Sequence, residues 1–220
     1  FRSNPFYQDS NAIATAIGAQ LMPGIQDDLP ERIVFYGAGC SQADKIKIVA
    51  DGIADHFPAA EILVEHDLLA AARSLCGHDA GIACILGTGS NSCQFDGAKI
   101  TDNIPSLGFY MGDEGSGNAI GKVLLNDYYY RHMPPDVKKM LEAAHNMERS
   151  RVLNEIYDSD YPNRVIAGYA AFAMNNLAHP YLKQLVRSTF EKFIDKQVMQ
   201  YAGAKQLPIH FMGSIALLGK

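Results

Sequence analysis

The sequence predicts an α/β fold, and three observations point to it. Short apolar, β-rich runs end abruptly in glycine at "RIVFYGAG", "CILGTG" and "HFMG". Segments of helical period stand between strand-like runs in the first third of the chain, which implies parallel pairing across helical crossovers. Beyond about residue 115 the chain reads as mainly helical until "LPIHFMG".

Taken in order, "DSNAIATAIGAQLMPGI" opens with cap-type residues, carries helical periodicity and is stopped by Pro23-Gly24. "RIVFYGAGC" reads as a buried strand. In "SQADKIKIVADGIADHF", Ser41 with Asp44 three residues on resembles a capping box. Ile46, Val49, Ala50, Ile53 and Phe57 share one helical face. "EILVEHD" is again a strand, and "LLAAARSLCG" a short helix stopped by Gly77, so residues 32–77 read as β-α-β-α. From Ala80, "AGIACILGTGS", "NSCQF" and "AKIT" are β-runs, with Asp96-Gly97 as a hairpin signal between the last two. "PYLKQLVRSTFEKFIDKQVMQY" is the longest helix, Pro180 suiting its first turn, and "IHFMG" is the last strand.

A chain of 220 residues admits one large domain or two small ones. With 20% charged residues and a net charge of -5 it has no basic footprint, which argues against nucleic acid or an anionic membrane as partner. No apolar run approaches the roughly 20 residues that cross a bilayer, and "FRSNPFYQDS" has no signal-peptide core. Cys40, Cys76, Cys84 and Cys93 form no CxxC pair and read as reduced thiols of a cytoplasmic protein. The chain lacks an initiator Met and stops just past a loop signal at "GSIALLGK", so residues are expected to be missing at both ends.

Three loops carry glycine at strand ends: Gly37-Ala38-Gly39, Gly87-Thr88-Gly89-Ser90 and Gly213-Ser214. Glycine permits close backbone approach, and Thr or Ser hydroxyls add donors toward phosphate oxygens. One such loop is weak evidence, since tight turns use the same residues. Three in one chain shift the balance toward a phosphate or nucleotide site. Dinucleotide binding is not favoured, because Gln42 replaces the third glycine of G-x-G-x-x-G, and no G-x-x-x-x-G-K-[ST] motif exists.

In "GFYMGDEGSGNAIG", residues 108–121, Asp113 and Glu114 stand between Gly112 and Gly115, and Ser116 opens a helix. Adjacent acids in such a turn can bind sugar hydroxyls or hydrated Mg²⁺, or they can serve the helix N-terminus. Asp67 ends a strand and starts a helix, where a carboxylate is either an N-cap or a general base. The spacing of His66, Cys76 and His78 matches no zinc site, so no protein-held metal is expected. His210 reads as structural.

"ILGTGSNS", "MGDEGSG" and "FMGSIA", in this order and spacing, with "NPFYQ" and "EHDLLAAARSLCG" before them, resemble the N-acetylglucosamine kinase branch of the sugar kinase/Hsp70/actin superfamily. That branch is grouped with the BadF/BadG/BcrA/BcrD ATPases, and the resemblance covers nearly the whole chain. It implies two actin-like (ribonuclease H-like) α/β domains around a nucleotide cleft, the first incomplete here: residues 1–77, with the catalytic Asp, and residues 78–220, with a helical insertion. Gly87, Thr88, Gly89 and Ser90 match the second phosphate loop, Thr88 also lying near the sugar. Gly213 and Ser214 match the loop beside the adenosine. Asp67 matches the base for the sugar 6-hydroxyl, while Asp113, Gly108 and Asn4 match substrate positions. The implied reaction is ATP-dependent phosphorylation of N-acetylglucosamine to its 6-phosphate, with Mg²⁺ on the phosphates.

The departures matter as well. The family's first phosphate loop, an Asp-Gly-Gly/Ser-x-Thr-Lys hairpin preceding "NPFYQ", is absent, which fits missing N-terminal residues better than lost function. This stretch alone is therefore expected to hold Mg·ATP poorly. Leu107 stands where mammalian-type members carry a sugar-contacting Trp, which keeps glucosamine or another hexose open as substrate. No cluster-binding cysteine motif supports the iron–sulfur activator role of some relatives. The rival classes are a non-catalytic sugar or nucleotide sensor on the same fold and a structural α/β protein; a first phosphate loop encoded upstream of Phe1 would favour the kinase over the sensor. The expected partners are a sugar and ATP, with a homodimer left open.

Overall fold

A computed structural model of the chain describes residues 5–6, 8–25 and 29–218. The fold is mixed α/β, in two compact units, Phe1–Ser74 and Leu75–Lys220.

In the first unit, Asp9 caps helix α1 (Ser10–Gln20) by accepting from the Ala12 amide at 2.8 Å, and a 3-10 turn over Met22–Gly24 follows. Strand β1 (Arg32–Gly37), helix α2 (Ala43–Ala54) and strand β2 (Glu61–His66) make a crossover unit. The two strands pair in parallel, in register from Arg32–Glu61 to Gly37–His66. Ile13 and Ile17 of α1 pack with Val49, Ile53, Phe57 and Val64 as the core. The capping box expected at Ser41 does not form. The N-cap of α2 is Gln42, which makes no side-chain cap bond. Ser41 thus lies outside the helix and Asp44 one position too early for the reciprocal pair, though its charge still suits the first turn. Helix α3 (Asp67–Cys76) follows β2 without a break and ends at Gly77, whose φ is +62°.

The second unit is built on a four-stranded sheet of order β5 (Ile100–Asp102), β4 (Ser90–Phe95), β3 (Gly81–Leu86) and β6 (Ile209–Met212). Strands β3, β4 and β5 form an antiparallel meander. Its second turn is closed by Asp96 Oδ1, which accepts from Ala98 N at 2.9 Å and Lys99 N at 2.8 Å. Helices α4 (Gly108–Met111), α5 (Gly117–Tyr129), α6 (Pro135–Ala144), α7 (Arg149–Tyr157), α8 (Pro162–Gly168), α9 (Ala170–Asn175) and α10 (Pro180–Lys196) come next. The chain then returns as β6 (Ile209–Met212), parallel to β3, and enters the short helix α11 (Ser214–Leu218).

β3 is the central strand, and its near-continuous apolar run is buried throughout except at Ile85, as a strand covered on both faces requires. Ile82, Cys84 and Leu86 share a core with Ile120 and Leu124 of α5 and Leu182 and Phe193 of α10. α10 stops at Lys196, short of the run read from sequence, and a 3-10 turn over Val198–Gln200 follows. The Ser92 hydroxyl lies 2.8 Å from the Tyr201 hydroxyl and donates to Gln197 Oε1 at 3.1 Å, tying this end of α10 to β4.

All four cysteines are free and buried. Burial, then the neighbouring thiols, pushes Cys84 and Cys93 up to about 12, which keeps them protonated and unreactive. Among the described residues no helix is long and apolar enough to cross a membrane.

Candidate active site

The turn between β3 and β4 is Gly87-Thr88-Gly89, and its three carbonyls are all engaged. Gly87 O accepts from Gly117 N at 2.8 Å, Thr88 O from Asn118 N at 3.0 Å, and Gly89 O from Gly87 N at 2.9 Å. Ser116, the N-cap of α5, takes the next amide, Ala119 N, on its hydroxyl at 3.2 Å. The start of α5 is therefore saturated by protein. What remains free is on the hairpin, where the Thr88 and Gly89 amides have no hydrogen-bond partner among the described residues. Adjacent free amides of this kind form an anion-binding concavity.

Asp113 lies against this hairpin. Its backbone is left-handed, with φ at +60°, an uncommon state for a non-glycine residue, and it is only 7% exposed. Its Oδ1 accepts from the Ser106 hydroxyl at 2.9 Å and from Ser90 N at 3.3 Å. Its Oδ2 has no protein partner among the described residues. Gly89 is what lets the carboxylate sit there, since a Cβ at that position would lie 2.8 Å from Oδ2. Burying a charged oxygen without a donor is costly unless something outside the chain supplies one.

The segment that carries Asp113 is closed on itself. Ser106 Oγ accepts from Gly108 N at 3.2 Å, and Gly108 O accepts from Gly112 N at 2.8 Å. The Phe109 carbonyl takes Asn118 Nδ2 at 3.1 Å and Lys122 Nζ. Glu114 does not cap α5. Its carboxylate pairs with Lys196 at 2.6 Å. Burial pushes that carboxyl up, but hydrogen bonds from Lys196 and its own backbone, with the Lys196 and Lys122 charges, hold it below its usual range.

Strand β6 brings the third glycine loop to the end of β3, with Met212 paired to Ile85. Gly213, at φ +108°, rests on the Leu86 backbone so closely that any side chain would run into the Leu86 carbonyl. An apolar cavity of about 300 Å³, lined by Leu86, Phe193, Phe211, Ala216 and Leu217 among others, flanks this loop. Two buried polar atoms in the same region, Ser90 Oγ and Asn118 Oδ1, have no partner among the described residues.

In the first unit, Asp67 is the opening residue of α3. The adjacent His66 ring takes the capping position, Nδ1 accepting from Leu68 N at 3.0 Å. No amide of the described residues bonds the Asp67 carboxylate; its Oδ1 lies 3.1 Å from His66 Nδ1, and its side chain is 39% exposed. The N-cap alternative for Asp67 is thereby overturned. Because Gly37 pairs with His66, the Gly37-Ala38-Gly39 loop leaves β1 beside this junction. Cys40 at its end is pushed up by burial and then by the Asp67 charge.

No family model matches the chain, and no curated protein does. Among solved structures, the "Putative N-acetylglucosamine Kinase" of Porphyromonas gingivalis is 36% identical, with a TM-score of 0.92 over 98% of this chain and 77% of its own. The chain belongs to that protein's family. A Chromobacterium violaceum protein of the same name, 14% identical with a TM-score of 0.68 over 94% of this chain and 74% of its own, shares the fold.

For this member of the family, the second unit gathers Gly87, Thr88, Gly89, Ser90, Asp113, Gly213 and Ser214 around the ends of β3 and β6. Gly108 spends its amide on Ser106 and shapes the segment. Asp67 stands in the other unit, and Asn4 lies outside the described residues. Sequence reading missed Ser106, Asn118 and Lys196. A lone Ser in "IPSLG" has no motif, and Lys196 meets Glu114 across 82 positions of chain.

Proposed function

We propose that this chain is an ATP-dependent sugar kinase that phosphorylates the 6-hydroxyl of an amino sugar, with N-acetylglucosamine the first candidate. The observation that carries the reading is Asp113, a buried carboxylate with one oxygen saturated and the other unpartnered, set against a hairpin with free amides. A sugar hydroxyl is the donor such an oxygen lacks, and phosphate oxygens are the acceptors such amides lack. The apolar cavity beside Gly213-Ser214 suits a nucleobase, so a phosphate chain and a base both find complementary surface. The name of the 36% identical relative supports the same substrate.

In this reading the fold is two actin-like domains around a nucleotide cleft. Asp67, uncommitted to any backbone amide, accepts the 6-hydroxyl proton as that oxygen attacks the γ-phosphate. Asp113 holds a sugar hydroxyl, and Thr88 and Gly89 donate to the phosphates. Mg²⁺, bound together with the ATP phosphates, would supply neutralisation of the charge that develops there. A coupled ADP-release assay of the full-length protein over hexoses and amino sugars tests this. ADP release dependent on an amino sugar is expected, and no sugar-dependent release with any of them overturns it.

A further inference from the structure

We infer that Ser106 is a positioning residue that holds one oxygen of Asp113 and so fixes the direction in which the other meets the sugar. The inference rests on reading Asp113 as a sugar-hydroxyl ligand and adds to it the device that aims the carboxylate. A carboxylate has two equivalent oxygens and rotates about its last torsion unless something distinguishes them. Here the distinction is made almost wholly by one hydroxyl. Ser106 donates its single proton to Oδ1 at 2.9 Å, whereas the other donor, Ser90 N, is at 3.3 Å, near the limit of a useful bond.

Ser106 is itself held in that role. Its oxygen accepts from Gly108 N at 3.2 Å, so its proton is left for Asp113. The chain Gly108 N–H to Ser106 O–H to Asp113 Oδ1 runs one way, every member a donor to the next. Gly108 can supply its amide because the segment turns there with φ at +69°, a conformation suited to glycine. Oδ2, on the Gly89 side, is thereby left as the acceptor for ligand. Ser106 does not touch the ligand in this account; it acts through Asp113.

The test is equilibrium binding of N-acetylglucosamine by calorimetry, with steady-state kinetics alongside, for Ser106→Ala, Ser106→Thr and Asp113→Asn. Losing a hydrogen bond to a charged group weakens sugar binding by about 10-fold or more in Ser106→Ala, seen in both Kd and sugar KM, with kcat and ATP KM little changed. Ser106→Thr restores wild-type binding, which a mere loss of folding would not show. If Asp113→Asn binds the sugar as the wild type does, the underlying reading of Asp113 fails. If Asp113→Asn loses binding while Ser106→Ala retains it, that reading survives and the positioning role of Ser106 is overturned.

Discussion

The β2–α3 junction and the segment around Asp113 each present an aspartate, and they hold it in opposite ways. Asp67 stands at the first position of a helix, is partly exposed, and has the His66 ring as its close polar neighbour. Asp113 stands on left-handed backbone, is 7% exposed, and has one oxygen fixed by two donors. A group that must take up and release a proton gains from access and from few competing donors. A group that must recognise one hydroxyl gains from being immobile. The two settings thus suit different halves of a transfer reaction.

The largest expected effect comes from removing the accessible carboxylate. Asp67→Asn lowers kcat in the ADP-release assay by about 100-fold or more while leaving sugar affinity in place. Next comes the immobile one. Asp113→Asn removes the acceptor and raises sugar KM by about 10- to 100-fold, the span of a charged hydrogen bond. Gly89→Ala attacks the same carboxylate from the side, placing a Cβ 2.8 Å from Oδ2. It should raise sugar KM and lower stability by about 1–3 kcal/mol in urea melts, as overpacking does.

The smallest effect belongs to the neighbouring acid. Glu114→Gln breaks the Lys196 pair, whose lysine is largely exposed, and costs at most about 1 kcal/mol, seen as a lower melting temperature at neutral pH. Because the folded carboxyl lies below its ordinary value of 4.5, its stabilisation is present above that value and is lost as pH falls through the depressed one. The gap in melting temperature between wild type and Glu114→Gln should therefore close on acidification below about 4.5.

What could be read from sequence was what is decided locally. The parallel β1–β2 pairing, the Asp96-Gly97 turn and the stop at Gly77 follow from residue types over a few positions. The Ser41 capping box was misread because one residue of slip at a helix start removes the geometry, and the motif carries no signal of that slip. Position alone leaves Asp67 either an N-cap or a general base, and it is the His66 ring that accepts the capping bond from Leu68 N. At the candidate site, the glycines and acids were visible as types. Their partners were not: Ser106 meets Asp113 across a closed segment, and Lys196 reaches Glu114 from the far end of α10. Spacing alone could not tell which of the adjacent acids was neutralised and which was left open.

The most direct test of the division between the two aspartates is calorimetric titration of N-acetylglucosamine into Asp67→Asn and Asp113→Asn side by side. The account predicts wild-type affinity in the first and much weaker binding in the second. Equal affinity in the two, or loss only in Asp67→Asn, would contradict it.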